Sequence, residues 1–224
     1  MNRIAHRGIH EQYPENSSEA VQTAFDSRAD GVEVDVRILY DHTLVLHHDA
    51  TLGNPSNSSN RFRPLTAMTE SELRRNASFN VMTVPRCIET KPANKSLTLE
   101  CKPGPNIHTF DRELLQALPK HLPDNLIVSS SDFELLEDLD HRSTLNLAPV
   151  IRSVDGLSRS YLHKQDWHEI HIRHTLCNED TLDEIRPFHD GSIIAWTVNQ
   201  EERINELEEL NVDGIMTDNV RLIQ

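Results

Sequence analysis

The sequence predicts an α/β protein, a (β/α)8 TIM barrel, and three observations carry that expectation. Short apolar runs alternate with stretches of three- and four-residue apolar spacing almost from end to end, the pattern of βα units around a parallel sheet. The runs can be counted as eight, which favours a closed barrel over an open sheet. Length is the third: 224 residues, 37% hydrophobic and 26% charged, can bury a substantial core, as one barrel or two small domains. Alternation that runs almost from end to end argues for a single domain over 1–224, with an insertion at about 40–80.

The predicted strands, in order, are Arg3 to His6, Gly31 to Ile38, Leu97 to Lys102, Asn125 to Ser129, Leu145 to Ile151, Glu169 to Arg173, Ser192 to Val198 and Asp213 to Thr217. Helical spacing fills the gaps over Ser18 to Ser27, Thr109 to Leu118, Asp132 to Asp140, Asp155 to Lys164, Glu179 to Phe188 and Glu201 to Leu210. Two units break the rhythm. After the second strand, residues 40–80 contain an apolar run, Leu44 to His47, a polar stretch, Asn54 to Asn60, and a helix near Glu70 to Arg75. They read as a small insertion on the face where a barrel carries its functional loops. The second barrel helix, around Val84 to Lys95, carries Pro85 and Pro92 and is expected to be short or absent. Only six residues follow Asp218, so the last helix is expected to be truncated.

A formal charge of -14, from 22 Lys+Arg against 36 Asp+Glu, disfavours a nucleic-acid partner. Three cysteines without paired spacing, Cys87, Cys101 and Cys177, argue against a disulfide framework or a zinc knuckle and for a reducing compartment. With neither an apolar leader nor a spanning segment in view, the expectation is a cytoplasmic protein without stable membrane insertion. Oligomeric state is not legible.

Chemistry concentrates at the predicted carboxyl ends of the strands. In an extended strand Glu33 and Asp35 share a face, with Cα atoms about 6.6 to 7 Å apart. Glu100, with Lys102 two positions on, adds a third carboxylate and a cation at the same rim. Three crowded carboxylates repel unless a cation neutralises them, which points to one divalent ion on oxygen ligands, Mg2+ or Ca2+ rather than zinc, with Mn2+ also possible. The plain alternative is an ion-pair network of Glu33 and Asp35 with Arg37 and Lys102. His6 ends the first strand, followed by Arg7, whose guanidinium can grip two phosphate oxygens, and Gly8, which permits a tight turn. Of His47 and His48, strand alternation favours His48 facing the site.

In order, the chain carries Ala5-His6-Arg7-Gly8, Pro14-Glu15-Asn16-Ser17, Gly31-Val32-Glu33-Val34-Asp35-Val36, His48-Asp49 and Leu99-Glu100-Cys101-Lys102. Ala195-Trp196-Thr197-Val198-Asn199 and Val212 to Asp218 follow. Taken together, and over nearly the whole length, this resembles the glycerophosphodiester phosphodiesterases. The resemblance implies a barrel with an insertion after strand two that cleaves a small-molecule glycerophosphodiester to sn-glycerol 3-phosphate and an alcohol. By motif it makes His6 and His48 the acid/base pair and Glu33, Asp35 and Glu100 the metal ligands. It gives Arg7 and Lys102 the phosphate oxygens, and Trp196 either an apolar wall for the glycerol or the leaving alcohol or a place in the core packing. Asn16 either positions the first loop or belongs to a capping turn. Two departures stand out: Asp41-His42 where the family has Asp-Gly, and Cys101 within Glu-x-Lys. A lipid phosphodiester substrate and a non-catalytic phosphodiester- or metal-binding barrel are the other readings.

Overall fold

The computed structural model describes residues 1–53, 63–104, 106–153 and 166–223. Its eight parallel strands are β1 (Asn2–His6), β2 (Gly31–Ile38), β6 (Ser96–Cys101), β7 (Leu126–Ser130), β8 (Asn146–Ile151), β9 (Glu169–Arg173), β10 (Ser192–Trp196) and β11 (Gly214–Thr217). They pair in sequence order, and β1 pairs both β11 and β2, so the barrel is closed. Each predicted strand forms within two residues of its expected bounds.

The sequence of β2 explains how the barrel is sided. Val32, Val34 and Val36 are fully buried in the main core, packed outward against the helices. The intervening Glu33 and Asp35 therefore point to the barrel interior, by the two-residue period of a strand. Register then sets the site: His6 pairs with Glu33, and Asp35 with Glu100, so these four side chains share one face. Inside, the apolar filling is a small cluster of Ile4, Ile194 and Met216, with Trp196 packed on it.

Helices α1 (Ser18–Phe25), α4 (Ile107–Ala117), α5 (Phe133–Arg142), α6 (Glu179–Ile185) and α7 (Glu201–Glu209) cover the outside. Ser17, Asn106, Asp132 and Asn178 cap the first four through their side chains, satisfying orphan amides of the first turn. Leu135, Leu136 and Leu139 of α5 and Phe110 and Leu114 of α4 are fully buried. The helix expected over Asp155 to Lys164 lies outside the described residues, as does the polar stretch Asn54 to Asn60.

The insertion begins where β2 outlives its neighbour. At Val36 to Ile38 it pairs β3 (Leu44–Leu46) antiparallel, beyond the Ile4 to His6 pairing with β1. Next come β4 (Thr51–Leu52), β5 (Arg63–Pro64) and α2 (Glu70–Asn76), closed by a reciprocal Thr69–Glu72 capping box. Leu65, Met68 and Leu73 are fully or almost fully buried with Leu39, Val45 and Val81, and Phe79 packs on them. The insertion thus has its own small core.

The second barrel helix is present but short, α3 (Val84–Thr90). Pro85 sits in its first turn, where a missing N–H costs nothing, so it starts the helix rather than breaking it. After β11 the described residues form a 3-10 turn, Val220–Leu222; Arg3 Nη1 donates to Leu222 O at 2.8 Å and Ile223 is buried in the core. The three cysteines are buried and free.

Candidate active site

A cleft of about 400 Å³ opens at the carboxyl ends of the strands. Seven of the eight residues singled out from sequence line it: His6, Arg7, Glu33, His48, Glu100, Lys102 and Trp196. Asp35, the eighth, is fully buried beneath them. His47 turns away, its Nδ1 on Asp49 O at 3.0 Å and its ring against Phe79, which leaves His48 at the mouth. Three hydrogen bonds hold that segment: His47 N donates to Asp35 O at 2.9 Å, and the Arg37 guanidinium donates twice to His48 O, at 2.7 and 3.0 Å. Arg37 thus holds the His48 backbone instead of pairing with Glu33.

Glu33, Asp35 and Glu100 each bring a carboxylate oxygen within 4.8 Å of the other two. Lys102 Nζ contacts Asp35 Oδ1 and lies 3.4 Å from Glu100 Oε1. Arg7 Nε lies 3.2 Å from Asp35 Oδ2, without hydrogen-bond alignment, and its Nη1 is held by both Glu15 oxygens at 2.9 and 3.0 Å. Burial alone would raise the Asp35 carboxyl, but Lys102 and Arg7 hold it below the usual carboxylate range. Glu33 goes the other way. Burial, then the charges of Asp35 and Glu100, push it up to about 8 against the pull of His6 and Lys102. Its Oε1 is buried with no hydrogen-bond partner. A hard divalent cation fits this arrangement, because it would satisfy that orphaned oxygen and replace the proton that burial forces on Glu33.

The Pro14-Glu15-Asn16-Ser17 run divides its labour residue by residue. Glu15 grips Arg7, and Ser17 caps α1. Asn16, 1% exposed and left-handed at φ 59, brackets Asp35: its Nδ2 donates to Asp35 Oδ2 at 2.9 Å and its Oδ1 accepts from Asp35 N at 3.0 Å. Of the two roles open to Asn16 in the sequence, positioning is the one it fills. Gly8 is left-handed at φ 79 and lies against α1, where a Cβ would meet Ala20 C at 2.6 Å.

Sequence reasoning assigned no role to Asp218, Arg152, His171 or Ser129. Asp218 Oδ1 bonds His6 Nδ1 at 2.7 Å and His10 Nε2 at 3.2 Å, while Asn199 Nδ2 donates to its Oδ2 at 2.9 Å. Burial works against a charged His6, but the Asp218 bond and the nearby Glu33 outweigh it, and its pKa is raised. His6 Nε2, 3.8 Å from Glu33, faces the cleft. On the far side stand Ser129, Arg152 and His171; the last is 1% exposed and bonded to Glu169 at 2.8 Å. The signal for Asp218 was its place directly after the last strand.

The sequence profile of the glycerophosphoryl diester phosphodiesterase family matches residues 6–222. The chain belongs to that family. A glycerophosphodiester phosphodiesterase of Bacillus altitudinis is 27% identical, with 97% of this chain and 95% of that protein aligned. The crystal structure of the Thermotoga maritima glycerophosphodiester phosphodiesterase superposes with a TM-score of 0.82 at 25% identity, over 98% of this chain and 95% of that one. An Oleispira antarctica phosphodiesterase, solved with its product sn-glycerol-3-phosphate, shares the fold at a TM-score of 0.86 and 21% identity, over 100% and 95% of the two chains. In this family member the motifs read from the sequence converge on one cleft, and His42 stands in the left-handed conformation, φ 66, at the turn where the family's Asp-Gly was missed.

Proposed function

We propose that the protein is a phosphoric diester hydrolase that cleaves glycerophosphodiesters to sn-glycerol 3-phosphate and an alcohol, with a divalent cation and the His6/His48 pair. The observation that carries this reading is the convergence of His6, His48, Glu33, Glu100, Arg7 and Lys102 on one cleft, with Asp35 buried beneath them and within reach of the other two carboxylates. The activity in the names of its relatives supports it.

Glu33, Asp35 and Glu100 would hold Mg2+ or Ca2+, with Mn2+ possible, and the ion when bound supplies Lewis acidity at a non-bridging phosphate oxygen. Arg7 and Lys102 offer N–H donors to the remaining phosphate oxygens. One imidazole takes the proton of the attacking hydroxyl or water, and the other delivers a proton to the departing alkoxide. Asp218 keeps His6 oriented, with Nε2 toward the cleft. Trp196 provides an apolar wall for the glycerol or the leaving alcohol. Among the described residues of the insertion, Leu65, Met68, Leu73 and Phe79 pack into their own core rather than forming a lip, which favours a small water-soluble substrate over a lipid. No helix among the described residues is long and apolar enough to cross a membrane. The reading extends to one barrel domain over 1–224 with its insertion at about 40–80, no nucleic-acid partner, and a reducing, cytoplasmic setting consistent with the free buried thiols.

The test is release of glycerol 3-phosphate from glycerophosphocholine, glycerophosphoethanolamine and glycerophosphoserine by EDTA-treated protein, before and after magnesium, calcium or manganese is restored. Turnover should return with the cation. His6→Ala and His48→Ala should each lower kcat by about 10²- to 10⁴-fold. Near-wild-type turnover in either variant would remove that histidine from the mechanism.

A further inference from the structure

Arg152 follows directly on β8 and has no part in the reaction just described, yet it spans the cleft. Its guanidinium carbon lies 5.2 Å from the centroid of the Trp196 ring, and its Nη2 donates to Glu100 Oε1 at 2.6 Å. The side chain is 46% exposed, so it stands at the rim, whereas Glu33 and Asp35 lie in the floor. The guanidinium therefore bridges the carboxylate cluster and the apolar wall.

Two consequences follow from charge. The face of a tryptophan is where a quaternary ammonium would be attracted, and here that face already carries a cation of the same sign. Glu100 Oε1 is shared by Arg152 and Lys102, so a divalent ion drawing on Glu100 competes with Arg152 for it. Released from Glu100, the planar fork of N–H donors would be free for an anionic group in the cleft, since such a fork matches carboxylate or phosphate oxygens. The glycerol half of a glycerophosphodiester carries hydroxyls only, in every member of the class. A charged rim residue can therefore discriminate among these substrates only through the alcohol half.

We propose that Arg152 is a specificity-determining residue that favours glycerophosphodiesters whose alcohol bears an anionic group and disfavours those bearing a quaternary ammonium. The inference rests on the phosphodiesterase reading above.

Glycerophosphoserine and glycerophosphoethanolamine differ by one carboxylate, so the ratio of their kcat/KM values cancels any effect of a substitution on the shared phosphate and metal site. In the wild type that ratio should be on the order of 10, the equivalent of one charge-assisted hydrogen bond at a partly exposed site, with glycerophosphocholine the poorest of the three. Arg152→Gln should bring the ratio to about 1, and Arg152→Lys should keep part of the preference. If Arg152→Gln does not fold, Arg152→Met, which keeps an unbranched aliphatic stem without the charge, carries the same expectation. A wild-type ratio at or below 1, or a ratio that the neutral variants leave unchanged, would overturn the assignment of Arg152 while leaving the hydrolase intact. If the folded wild type hydrolyses none of the three with any of the cations, the phosphodiesterase reading fails, and this inference fails with it.

Discussion

Asp218 accepts from two imidazoles with one oxygen and from Asn199 with the other, and burial is more than offset, so its carboxyl sits well below the usual range. A group so held stays ionised throughout the working pH range and keeps the His6 proton on Nδ1. Asp218→Asn should lower kcat by about 10²-fold by loosening that orientation. It should also move the His6 limb of the kcat/KM against pH profile to lower pH, because the neutral amide no longer stabilises imidazolium. A profile that stays in place would reduce Asp218 to a packing role. At this scale His6, Glu33, Asp35 and Glu100 were legible because strand alternation aims them. Asp218 and Arg152 were not, because their partners lie 212 and 52 residues away and nothing local encodes the pairing. Asn16 was half legible: a polar residue before a helix reads as a cap, and here Ser17 takes that task.

At the scale of elements, the turn between β2 and β3 shows how a departure from a motif is absorbed. His42 adopts φ 66, a conformation easy for glycine and open to histidine, and its Nδ1 reaches Glu113 Oε1 at 3.2 Å. Asp41 stabilises the same turn by accepting from Thr43 N and Glu70 N. His42→Gly should be close to neutral, since relief of the left-handed strain offsets the added flexibility of the unfolded chain. His42→Val should cost about 1 to 2 kcal/mol, because a β-branched side chain clashes there. Denaturant midpoints of the two variants check this, and equal midpoints would mean that the turn is not under conformational constraint. The short α3 makes a related point. A proline weakens a helical pattern in sequence, but Pro85 falls in the first turn, and only knowledge of where the helix begins changes its sign.

For the whole molecule, the barrel was the most legible feature, since eight apolar runs with helical spacing between them admit few other closures. The shared protons of the site then set how stability responds to pH. Without a cation, folded Glu33 keeps its proton to about pH 8, whereas an unfolded glutamate releases it near 4.5. The folded state binds more protons between those values, so on this account stability falls as pH rises from about 4.5 to about 8. His6, also raised, acts in the same direction above its ordinary 6.5. Asp35 and Asp218, both depressed, contribute stability above 3.8 that is lost only as pH falls below it. EDTA-treated protein should therefore show a Tm that declines across pH 5 to 8, and saturating magnesium should flatten the decline by taking the place of the Glu33 proton. Glu33→Gln should remove most of the slope, and an unchanged slope in that variant would place the linked proton elsewhere. The bond between His6 and Asp218 has a further consequence, in the order of events during synthesis. It joins positions 212 apart across the β1–β11 seam. Loop closure over such a span comes late. The ribosome must therefore release the chain through Asp218 before His6 acquires its partner, and turnover becomes a sensor of completed barrel closure.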